Sequence, residues 1–457
     1  MAFSGRRYFV LEKKINKIIF ETLPVPQAVR KFVVPSLLST LIFIIYSLAD
    51  TFFVGLIGDP NQLAGLTVAF PFFQVLNAFG SLFGVGSNSV ISRSLGEKRY
   101  ECVSRASALS FWSGVLFMVF ACITLHLFQR PLLLAAGASV NTYDYAAGYL
   151  RWTFVYGGIP SVLSITMCNL LRAEGHAKQG SIGLILGGLL NCVLDPIFIF
   201  TFQLEIVGAA IATMLSNCFS LFYFLVVYLR IRQTSYISLC PFGHRFEWSL
   251  LKEILLVGLP SCWLTILGST GCLFQTFLYS KHSDIAVAAW GVVNRISFVS
   301  IYSTHGVAQG VMPLIGYNFG AKNYSRVRAV NQEAFKIVLM IAFSLLIFSE
   351  AFSAGIVRVF INDLETIAVG SVLMRYYMLC TPFMSMILTI STLFQAVGKW
   401  QYSLVILTIR QFVFNIPLMF LLNSFMGIRG VALGQPTSDF INLFLVIYVY
   451  RRYFFFN

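Results

Sequence analysis

The sequence predicts an all-α integral membrane protein whose twelve transmembrane helices form two pseudo-symmetric six-helix lobes around a central cleft. Three observations predict this fold class. The 457 residues are 58% hydrophobic and 11% charged, with a mean hydropathy of +0.79, whereas soluble proteins carry about 25% charged residues. The apolar residues form runs long enough to cross a bilayer. Short sequences of the first half also return in the second half.

The chain opens with a basic segment that we assign to residues 1–31. It contains seven lysines and arginines. No small-residue cleavage site follows the first apolar run, so a cleaved signal peptide is not indicated. We expect an amphipathic cytosolic segment whose basic side chains lie against the inner leaflet.

Twelve apolar runs follow, six on each side of a polar segment at 231–249. The runs of the first half lie at about 32–56, 63–92, 105–128, 146–171, 179–203 and 206–230. Those of the second half lie at about 251–279, 285–316, 330–353, 367–395, 401–423 and 428–450. We therefore expect an N-lobe at 32–230, a cytosolic inter-lobe loop at 231–249 and a C-lobe at 250–457.

The basic residues predict the orientation of the chain. Lysines and arginines in short loops favour the cytosolic side of a membrane. With the N-terminus inside, 24 of the 32 are cytosolic, four are outside and four lie within spans. Both termini are therefore expected in the cytosol. The net charge of +14 is explained by these loops, so we expect no nucleic-acid partner.

An internal duplication relates the two halves. Three pairs of segments match: Pro35-Ser36 with Pro260-Ser261, Gly96-Glu-Lys-Arg-Tyr100 with Gly320-Ala-Lys-Asn-Tyr324, and Val207-Gly-Ala-Ala210 with Arg429-Gly-Val-Ala432. Because each half holds an even number of spans, both copies have the same orientation and are related by an axis along the membrane normal. Transporters are built from such repeats, and their binding sites lie near the repeat interface.

Polar residues at one depth of the N-lobe are the candidate site residues. A carboxylate inside a span is costly to place and therefore suggests a function. Asp50 lies roughly 9 Å from the outer end of span 1, Asp195 roughly 12 Å from that of span 5, and Thr213 roughly 10 Å into span 6. Tyr46 and Asn191 each lie one helical turn deeper than the neighbouring carboxylate.

This arrangement predicts a cation-coupling site. Two carboxylates in a poorly hydrated lobe cannot both stay ionised at low cost, which favours proton binding near neutral pH. Carboxylate, amide and hydroxyl oxygens also suit a hard cation such as Na⁺, so both ions remain open. Two structural alternatives also remain. Asp195 next to Pro196 can mark a capped helix kink, and Asp50 can pair with Arg93 or Arg151.

The C-lobe offers no comparable set of groups. Opposite Asp50 stands Phe274, with Gln275 beside it, and Asp439 stands alone on span 12. Three arginines lie within the C-lobe spans: Arg295, Arg375 and Arg410. They suit interior ion pairs and substrate contacts equally.

Residues typical of enzymes and of metal cofactors are not grouped in the sequence. Five histidines are scattered and no CxxC pair occurs, so we expect no cofactor other than a coupling ion and no catalytic activity. The expected partners are a small organic molecule and the bilayer, and we expect a monomer.

Several motifs resemble the multidrug and toxic compound extrusion (MATE) family. They are Tyr46-Ser-Leu-Ala-Asp50, Phe83-Gly-Val-Gly86, Ile91-Ser-Arg-Ser-Leu-Gly96, Asn191-Cys-Val-Leu-Asp195-Pro196, Val207-Gly-Ala-Ala-Ile-Ala-Thr213 and Gln309-Gly-Val-Met-Pro313. The resemblance covers nearly the whole chain and both repeats. The motifs resemble most strongly those of prokaryotic members whose cation site lies in the N-lobe.

The resemblance implies an inner-membrane antiporter of bacteria. It implies that Asp50, Asn191, Asp195 and Thr213 hold the cation, as metal ligands if the ion is Na⁺, with Tyr46 beside them. Binding of H⁺ or Na⁺ is then coupled to export of an organic, often cationic and aromatic compound.

The resemblance also implies that helix 1 bends at Pro35. The sequence departs from the branch of the family that carries an acid in helix 7, because Gln275 is the nearest polar residue there.

Other functions make different demands on the sequence. A flippase for a lipid-linked oligosaccharide or a related polar lipid, from the same wider superfamily, predicts a cleft rich in arginine for a pyrophosphate, and the three C-lobe arginines keep that alternative open. A passive channel does not explain acids confined to one lobe. A membrane enzyme needs a catalytic constellation at membrane depth.

Overall fold

The computed structural model describes residues 18–240 and 246–455, and within these ranges it contains helices and no strand. Most of the predicted N-terminal segment (residues 1–17), part of the predicted inter-lobe loop (241–245) and the last two residues lie outside the described residues.

The predicted all-helical membrane architecture is confirmed. The first half comprises α1 (Val25–Gly55), α2 (Pro60–Gly96), α3 (Tyr100–Ala135), α4 (Tyr143–Tyr156 and Gly158–Ala173), α5 (Ala177–Thr201) and α6 (Glu205–Ile231). The second half comprises α7 (Trp248–Ser280), α8 (Asp284–Gly320), α9 (Tyr324–Phe360), α10 (Leu364–Met378 and Thr381–Ala396), α11 (Trp400–Met426) and α12 (Ile428–Phe455). In the described ranges, ten helices are long and apolar enough to cross a membrane singly, and there are twelve spans when each bent pair is counted as one.

The two bent helices occupy equivalent places in the two lobes. The halves of α4 meet at 49° and those of α10 at 44°. Pro160 and Pro382 follow the bends and lack the amide hydrogen that would bind the carbonyl four residues earlier. Those carbonyls belong to Tyr156 and Met378, the last residues of the first half-helices. The bends thus follow from the placement of the two prolines.

The helices extend beyond the apolar runs that predicted them. Helix α1 begins at Val25, so residues 25–31, assigned from sequence to the N-terminal segment, form its first two turns. Hydropathy excluded this part because it contains Arg30 and Lys31. Ala28 and Val29 on the opposite face are fully buried. Packing of one face therefore extends the helix past the end of its apolar run.

We call the end of the molecule at which α1 begins and α2 ends the inner end, and the opposite one the outer end. At the inner end α2 of the N-lobe crosses α7 of the C-lobe with backbone against backbone. A Cβ atom on Gly86 would lie 2.0 Å from the carbonyl oxygen of Ile254, and one on Gly258 would lie 1.8 Å from that of Leu82. Only glycine permits such an approach.

A related crossing joins α1 to α8. A Cβ atom on Gly310 would lie 2.9 Å from the Cα atom of Val33, and Val29, Val33, Val307 and Val311 share one apolar cluster there. The two crossings are counterparts in the duplicated fold. The lobes are thus closed against each other at the inner end.

Two polar contacts reinforce this closure. Arg93 of α2 forms an ion pair of 2.9 Å with Glu253 of α7. The Ser89 hydroxyl, one turn earlier on α2, donates to the carbonyl oxygen of Gln395 on α10 at 2.6 Å. Both contacts cross from one lobe to the other.

Candidate functional site

The candidate site in the N-lobe is assembled around Asn191 of α5. Its Nδ2 donates to Asp195 Oδ1 at 3.2 Å and to Thr213 Oγ1 at 3.3 Å. The first contact joins residues four apart on one helix face, and the second joins α5 to α6. All three side chains are buried. The structure therefore brings these three predicted residues together.

Asp50 joins this group through a tyrosine that the sequence reasoning missed. The hydroxyl of Tyr149 on α4 donates to Asp50 Oδ2 at 3.3 Å. The two carboxylates, Asp50 and Asp195, lie close enough to interact electrostatically. Depth would have identified Tyr149, because it lies six residues into α4 from the outer end and thus roughly 9 Å deep.

Tyr46 lies one turn before Asp50 and contacts α5. A Cβ atom on Gly188 would lie 3.1 Å from Tyr46 Cδ1, so the glycine lets the tyrosine ring approach the helix. Gly188 precedes Asn191 by one turn. Tyr46 therefore packs immediately inward of the group formed by Asn191 and Asp195.

Three oxygens of this group are buried without a hydrogen-bond partner in the described structure: Asp50 Oδ1, Asn191 Oδ1 and Asp195 Oδ2. Unsatisfied acceptors in an apolar interior are costly. A proton on a carboxylate would remove part of this cost, and a hard cation bound among the oxygens would offset it as well. The residues present therefore fit either ion.

The structural alternatives for the two acids receive no support. Arg93, a potential partner of Asp50, pairs with Glu253 instead. Arg151 is exposed. Asp195 accepts from the side chain of Asn191.

Two site residues border irregular helical turns. A π-helical segment, Arg151–Tyr156, follows Tyr149, and a second one, Ile197–Thr201, follows Asp195. Such segments widen a helix locally and are frequent at functional sites. They set the directions in which these two side chains leave their helices.

The C-lobe holds an amide counterpart of the site, and the equivalence proposed from the sequence needs a correction of one residue. The register that aligns Pro35 with Pro260 places Gln275, and not Phe274, opposite Asp50. Gln275 is 3% exposed, whereas Phe274 packs against Phe420.

Amides also replace two other site residues in the C-lobe. Asn415 of α11 corresponds to Asn191, and Gln435 of α12 corresponds to Thr213. Asn415 Nδ2 donates to Gln435 Oε1 at 2.6 Å, which repeats the contact between α5 and α6. Met419 stands in the place of Asp195.

The sequence shows Asp439 as an isolated acid on span 12, but in the structure it has a partner. It forms a bidentate ion pair with Arg410, with Nε–Oδ1 at 2.6 Å and Nη2–Oδ2 at 3.0 Å. Gln435 Nε2 also donates to Asp439 Oδ2 at 3.1 Å. Of the other two C-lobe arginines, Arg375 donates to the Ser353 hydroxyl at 3.0 Å, and Arg295 is exposed.

The two lobes differ in the polar atoms that they leave without a partner. In the N-lobe site these atoms are oxygens of a group that carries two acids. In the C-lobe counterpart they are the amide oxygen of Asn415 and the amide nitrogens of Gln275 and Gln411, and the acid there is already paired with an arginine. The N-lobe group therefore has two acids with no cationic partner among the described residues, whereas the acid of the C-lobe counterpart is paired with Arg410.

Helix α1 is continuous through Pro35, the predicted hinge. Among the described spans, α4 and α10 are each bent by more than 40°, and α3 and α9 have a kink with non-helical backbone angles at Phe128 and Phe352. Bending at Pro35 therefore remains a prediction for another conformation.

Comparison with known proteins agrees with the duplicated architecture. The MatE family model matches residues 35–197 and again residues 260–421, so both matches begin at the prolines that define the repeat. Together they cover most of the chain.

The chain is similar to multidrug export protein MepA of two staphylococci. It is 27% identical to that of Staphylococcus saprophyticus over 438 residues, covering 94% of this chain and 95% of the relative. It is 28% identical to that of Staphylococcus haemolyticus over 433 residues, covering 94% of each chain.

Solved structures share the fold. An outward-facing multidrug resistance MATE family transporter of the MOP superfamily superposes with a TM-score of 0.90 at 24% identity, over 96% of this chain and 97% of that one. The MATE transporter VcmN of Vibrio cholerae gives a TM-score of 0.88 at 22% identity, over 95% and 99%. The chain therefore belongs to the MatE family of multidrug and toxic compound extrusion proteins, and it is a multi-pass membrane transporter and not an enzyme.

Proposed function

We propose that this transporter is a secondary active antiporter that exports organic, cationic and aromatic compounds in exchange for H⁺ or Na⁺. The observation that carries the proposal is the group of three buried, unpartnered oxygens on Asp50, Asn191 and Asp195. The name of the staphylococcal relatives, multidrug export protein, supports the class of substrate. No motif for ATP binding occurs in the sequence, so an ion gradient is the energy source.

The coupling follows from the position of the oxygens between α1, α4, α5 and α6. An ion that enters the N-lobe neutralises the carboxylates and changes which arrangement of these helices is most stable. If ion-loaded and substrate-loaded forms favour opposite openings of the cleft, exchange across the membrane results. A membrane potential supplies about 2.3 kcal/mol per charge per 100 mV.

The membrane setting is part of the proposal. We place the protein in the inner membrane of a bacterium as a monomer, with both termini and the loop between α6 and α7 in the cytosol. The inner end defined above then faces the cytosol.

The test is ion-driven transport of ethidium in everted membrane vesicles under an imposed proton or sodium gradient. Asp50→Asn and Asp195→Asn each keep the size of the side chain and remove its charge, so both should abolish transport. Asp284→Asn is the matched control, because Asp284 is exposed in the first turn of α8 at the outer end. The gradient that supports transport identifies the ion.

A second variant separates the two ions by chemistry. Thr213→Val keeps the shape of the side chain and removes an oxygen that a sodium ion would bind. Sodium-driven transport should weaken at least tenfold, whereas proton-driven transport should persist because the carboxylates remain. Transport that persists in Asp50→Asn and Asp195→Asn contradicts the site assignment.

Transport of ethidium in the same vesicles also tests the flippase alternative. Of its three candidate arginines, Arg410 is engaged by Asp439 and Arg375 by Ser353. If the wild type moves no organic cation under either gradient, the export proposal fails, and a lipid-linked polar substrate becomes the better explanation.

A further inference from the structure

A buried guanidinium without a carboxylate partner lies at the inner end of the N-lobe. Arg172, in the last turn of α4, is 6% exposed. Its Nη2 donates to Ser39 Oγ of α1 at 2.9 Å and to Ser181 Oγ of α5 at 3.1 Å, and its Nε is buried without a partner. No Asp or Glu of the described ranges lies within ion-pair distance of it.

Arg172 joins α4 to α1 and α5, and the C-lobe shows that this contact between helices does not need a positive charge. Gly175 and Gly398 are equivalent residues that end α4 and α10 with positive φ angles of 105° and 79°. Counting back three residues from each glycine makes Gln395 the counterpart of Arg172. Gln395 accepts from Ser261 Oγ of α7 at 2.7 Å and donates to Ser403 Oγ of α11 at 3.1 Å. A neutral amide thus joins the three equivalent helices.

The positive charge of Arg172 is therefore not needed to join the three helices, and burying this charge costs free energy. Removing a cation from water costs several kcal/mol unless an opposite charge compensates it. Serine hydroxyls satisfy part of the hydrogen-bonding capacity of the guanidinium, but they carry no charge. An anion is the missing partner.

Further polar groups lie on α1, which Arg172 contacts, and on α8, which faces α1. The hydroxyl of Ser36, one turn before Ser39 on α1, is fully buried and has no hydrogen-bond partner among the described residues. The facing stretch of α8 carries Gln309, which is 5% exposed and has neither side-chain atom satisfied. His305, one turn earlier on α8, lies within electrostatic reach of Arg172.

We propose that Arg172 anchors an anion site that opens to the cytosol when the lobes separate at the inner end. Ser36, Ser39 and Gln309 would contribute further donors. The ligand is an anionic group, either the carboxylate of a transported organic compound or an inorganic anion such as chloride. A guanidinium suits a carboxylate because its parallel donors match the two oxygens.

The lobe closure seen here explains how access to such a site would be controlled. With the lobes closed, α8 covers this face of α1 through the close approach of Gly306 to Leu37 and Thr40. The hydrogen bonds from Arg172 to Ser39 and Ser181 lie within the N-lobe, so they do not depend on this closure. The site would therefore bind the carboxylate of a substrate at the cytosolic entrance and lose its access to the cytosol on closure, and in this form the inference rests on the proposed export function.

The test compares two dyes that differ in one group. Rhodamine 19 carries a free carboxylate, and rhodamine 6G is its ethyl ester. Arg172→Gln installs the residue that the C-lobe uses for the same tie, and Arg172→Lys keeps the charge. In everted vesicles, Arg172→Gln should lower the ratio of rhodamine 19 to rhodamine 6G transport about tenfold, and Arg172→Lys should preserve most of it.

A second arm replaces chloride by gluconate. If the anion is chloride, wild-type transport of both dyes falls in gluconate, and Arg172→Gln no longer responds to the exchange of salt. The proposal is overturned if Arg172→Gln matches the wild type with both dyes in both salts. It is equally overturned if, compared with the wild type in the same salt, this variant loses transport of both dyes by the same factor in chloride and in gluconate.

Binding separates this inference from the export proposal. Fluorescence anisotropy of each dye with the purified full-length protein needs no ion gradient. Wild-type protein should bind rhodamine 19 about tenfold more tightly than Arg172→Gln does, or show a chloride dependence that the variant lacks. If wild type fails to transport but this difference is found, the export proposal fails and the anion site stands. The anion site is overturned if wild type and Arg172→Gln bind each dye equally tightly in both salts.

Discussion

At the scale of single residues, Tyr149 connects α4 to the carboxylate of Asp50. Its hydroxyl lies in a buried environment, and Tyr149→Phe would leave both Asp50 oxygens without a donor. A hydrogen bond contributes about 0.5–1.5 kcal/mol between neutral groups and about 1.5–3 kcal/mol to a charged group, so we expect a loss of stability of about 0.5–3 kcal/mol. The measurement is thermal unfolding in detergent. Tyr143→Phe on the same helix serves as the control and should unfold like the wild type.

The ion pair between Arg410 and Asp439 is a second prediction at this scale. Removing one partner of a buried pair leaves an uncompensated charge and costs about 3–5 kcal/mol, whereas replacing both by apolar groups is often neutral. Arg410→Met and Asp439→Leu should each destabilise the protein strongly, and the double variant should recover most of the loss. If the double variant is as unstable as the single variants, loss of the ion pair is not the cause of their destabilisation.

The residues of the candidate site differed in how far the sequence revealed them. Asn191 and Asp195 stand four apart, and the depth of Thr213 matches theirs, so their proximity followed from helix geometry. The C-lobe counterpart is less visible in the sequence, because Asn415 and Gln435 are uncharged amides, whereas two acids mark the N-lobe site. A one-residue error in register further hid Gln275. The pairing of Arg410 with Asp439 depends on tertiary packing, which no spacing within one helix predicts.

At the scale of elements, the crossing of α2 and α7 should tolerate no side chain. Alanine at Gly86 or Gly258 would bring a Cβ atom within about 2 Å of a carbonyl oxygen, so the helices must separate. We expect each variant to favour the arrangement that is open at the inner end. Gly268→Ala on α7 is the control, because a Cβ atom there meets nothing within 4 Å.

The distance between spin labels at the inner ends of α2 and α7 measures this shift. It should lengthen in Gly86→Ala and Gly258→Ala and stay unchanged in Gly268→Ala. An unchanged distribution in all three variants would mean that the crossing does not limit the approach of the lobes.

A helix cap gives a prediction about pH. Asp363, in the loop before α10, accepts from the Thr366 hydroxyl at 2.6 Å and from the Thr366 amide at 2.8 Å. These hydrogen bonds lower the pKa of Asp363. A carboxyl group whose pKa is lower when folded stabilises the protein above its unfolded pKa of about 4, and this contribution disappears as the pH falls through the folded value.

We therefore expect Asp363→Ala to unfold more easily than the wild type at neutral pH, with a difference that shrinks toward about pH 3. Thermal unfolding at a series of pH values measures it. Asp363→Asn, which keeps a capping oxygen, should show little pH dependence relative to Asp363→Ala. A difference between wild type and Asp363→Ala that is constant across pH would exclude the carboxylate as its source.

Elements were predicted better than their ends. Runs of apolar residues identified all twelve spans because bilayer length constrains them. The start of α1 at Val25 was missed because packing of one face, and not hydropathy, extends that helix. Pro160 and Pro382 accompany the bends of α4 and α10, but a proline alone does not predict a bend, because α1 and α7 continue through Pro35 and Pro260.

At the scale of the whole molecule, the charge distribution makes a prediction about topology. Most lysines and arginines of the sequence fall in segments that the positive-inside pattern assigns to the cytosol, so a green fluorescent protein fused after Arg232, between α6 and α7, should fluoresce in the cytosol. An alkaline phosphatase fused after Ile57, between α1 and α2, should be active outside. The reverse pattern would invert the orientation and place the anion site at the outer entrance.

The overall architecture followed from two simple properties of the sequence, hydropathy and repetition. Together they predicted the number of helices and the axis that relates the lobes. They do not determine which ends of the lobes touch, because alternating arrangements of the same helices satisfy the same hydropathy. The closure at the inner end depends on contacts such as that of Gly86 with Ile254, which arise from tertiary packing and leave no periodic pattern in the sequence.

The glycine crossing also bears on how fast the lobes can part. Side chains that interlock must change rotamer before two surfaces separate, and each change adds to the activation barrier. Where backbone meets backbone, as at Gly86 and Gly258, little interlocking has to be undone, and the surfaces can meet again in the same register. A seal of this kind releases quickly and re-forms accurately, which suits a protein that must repeat the same movement in every turnover.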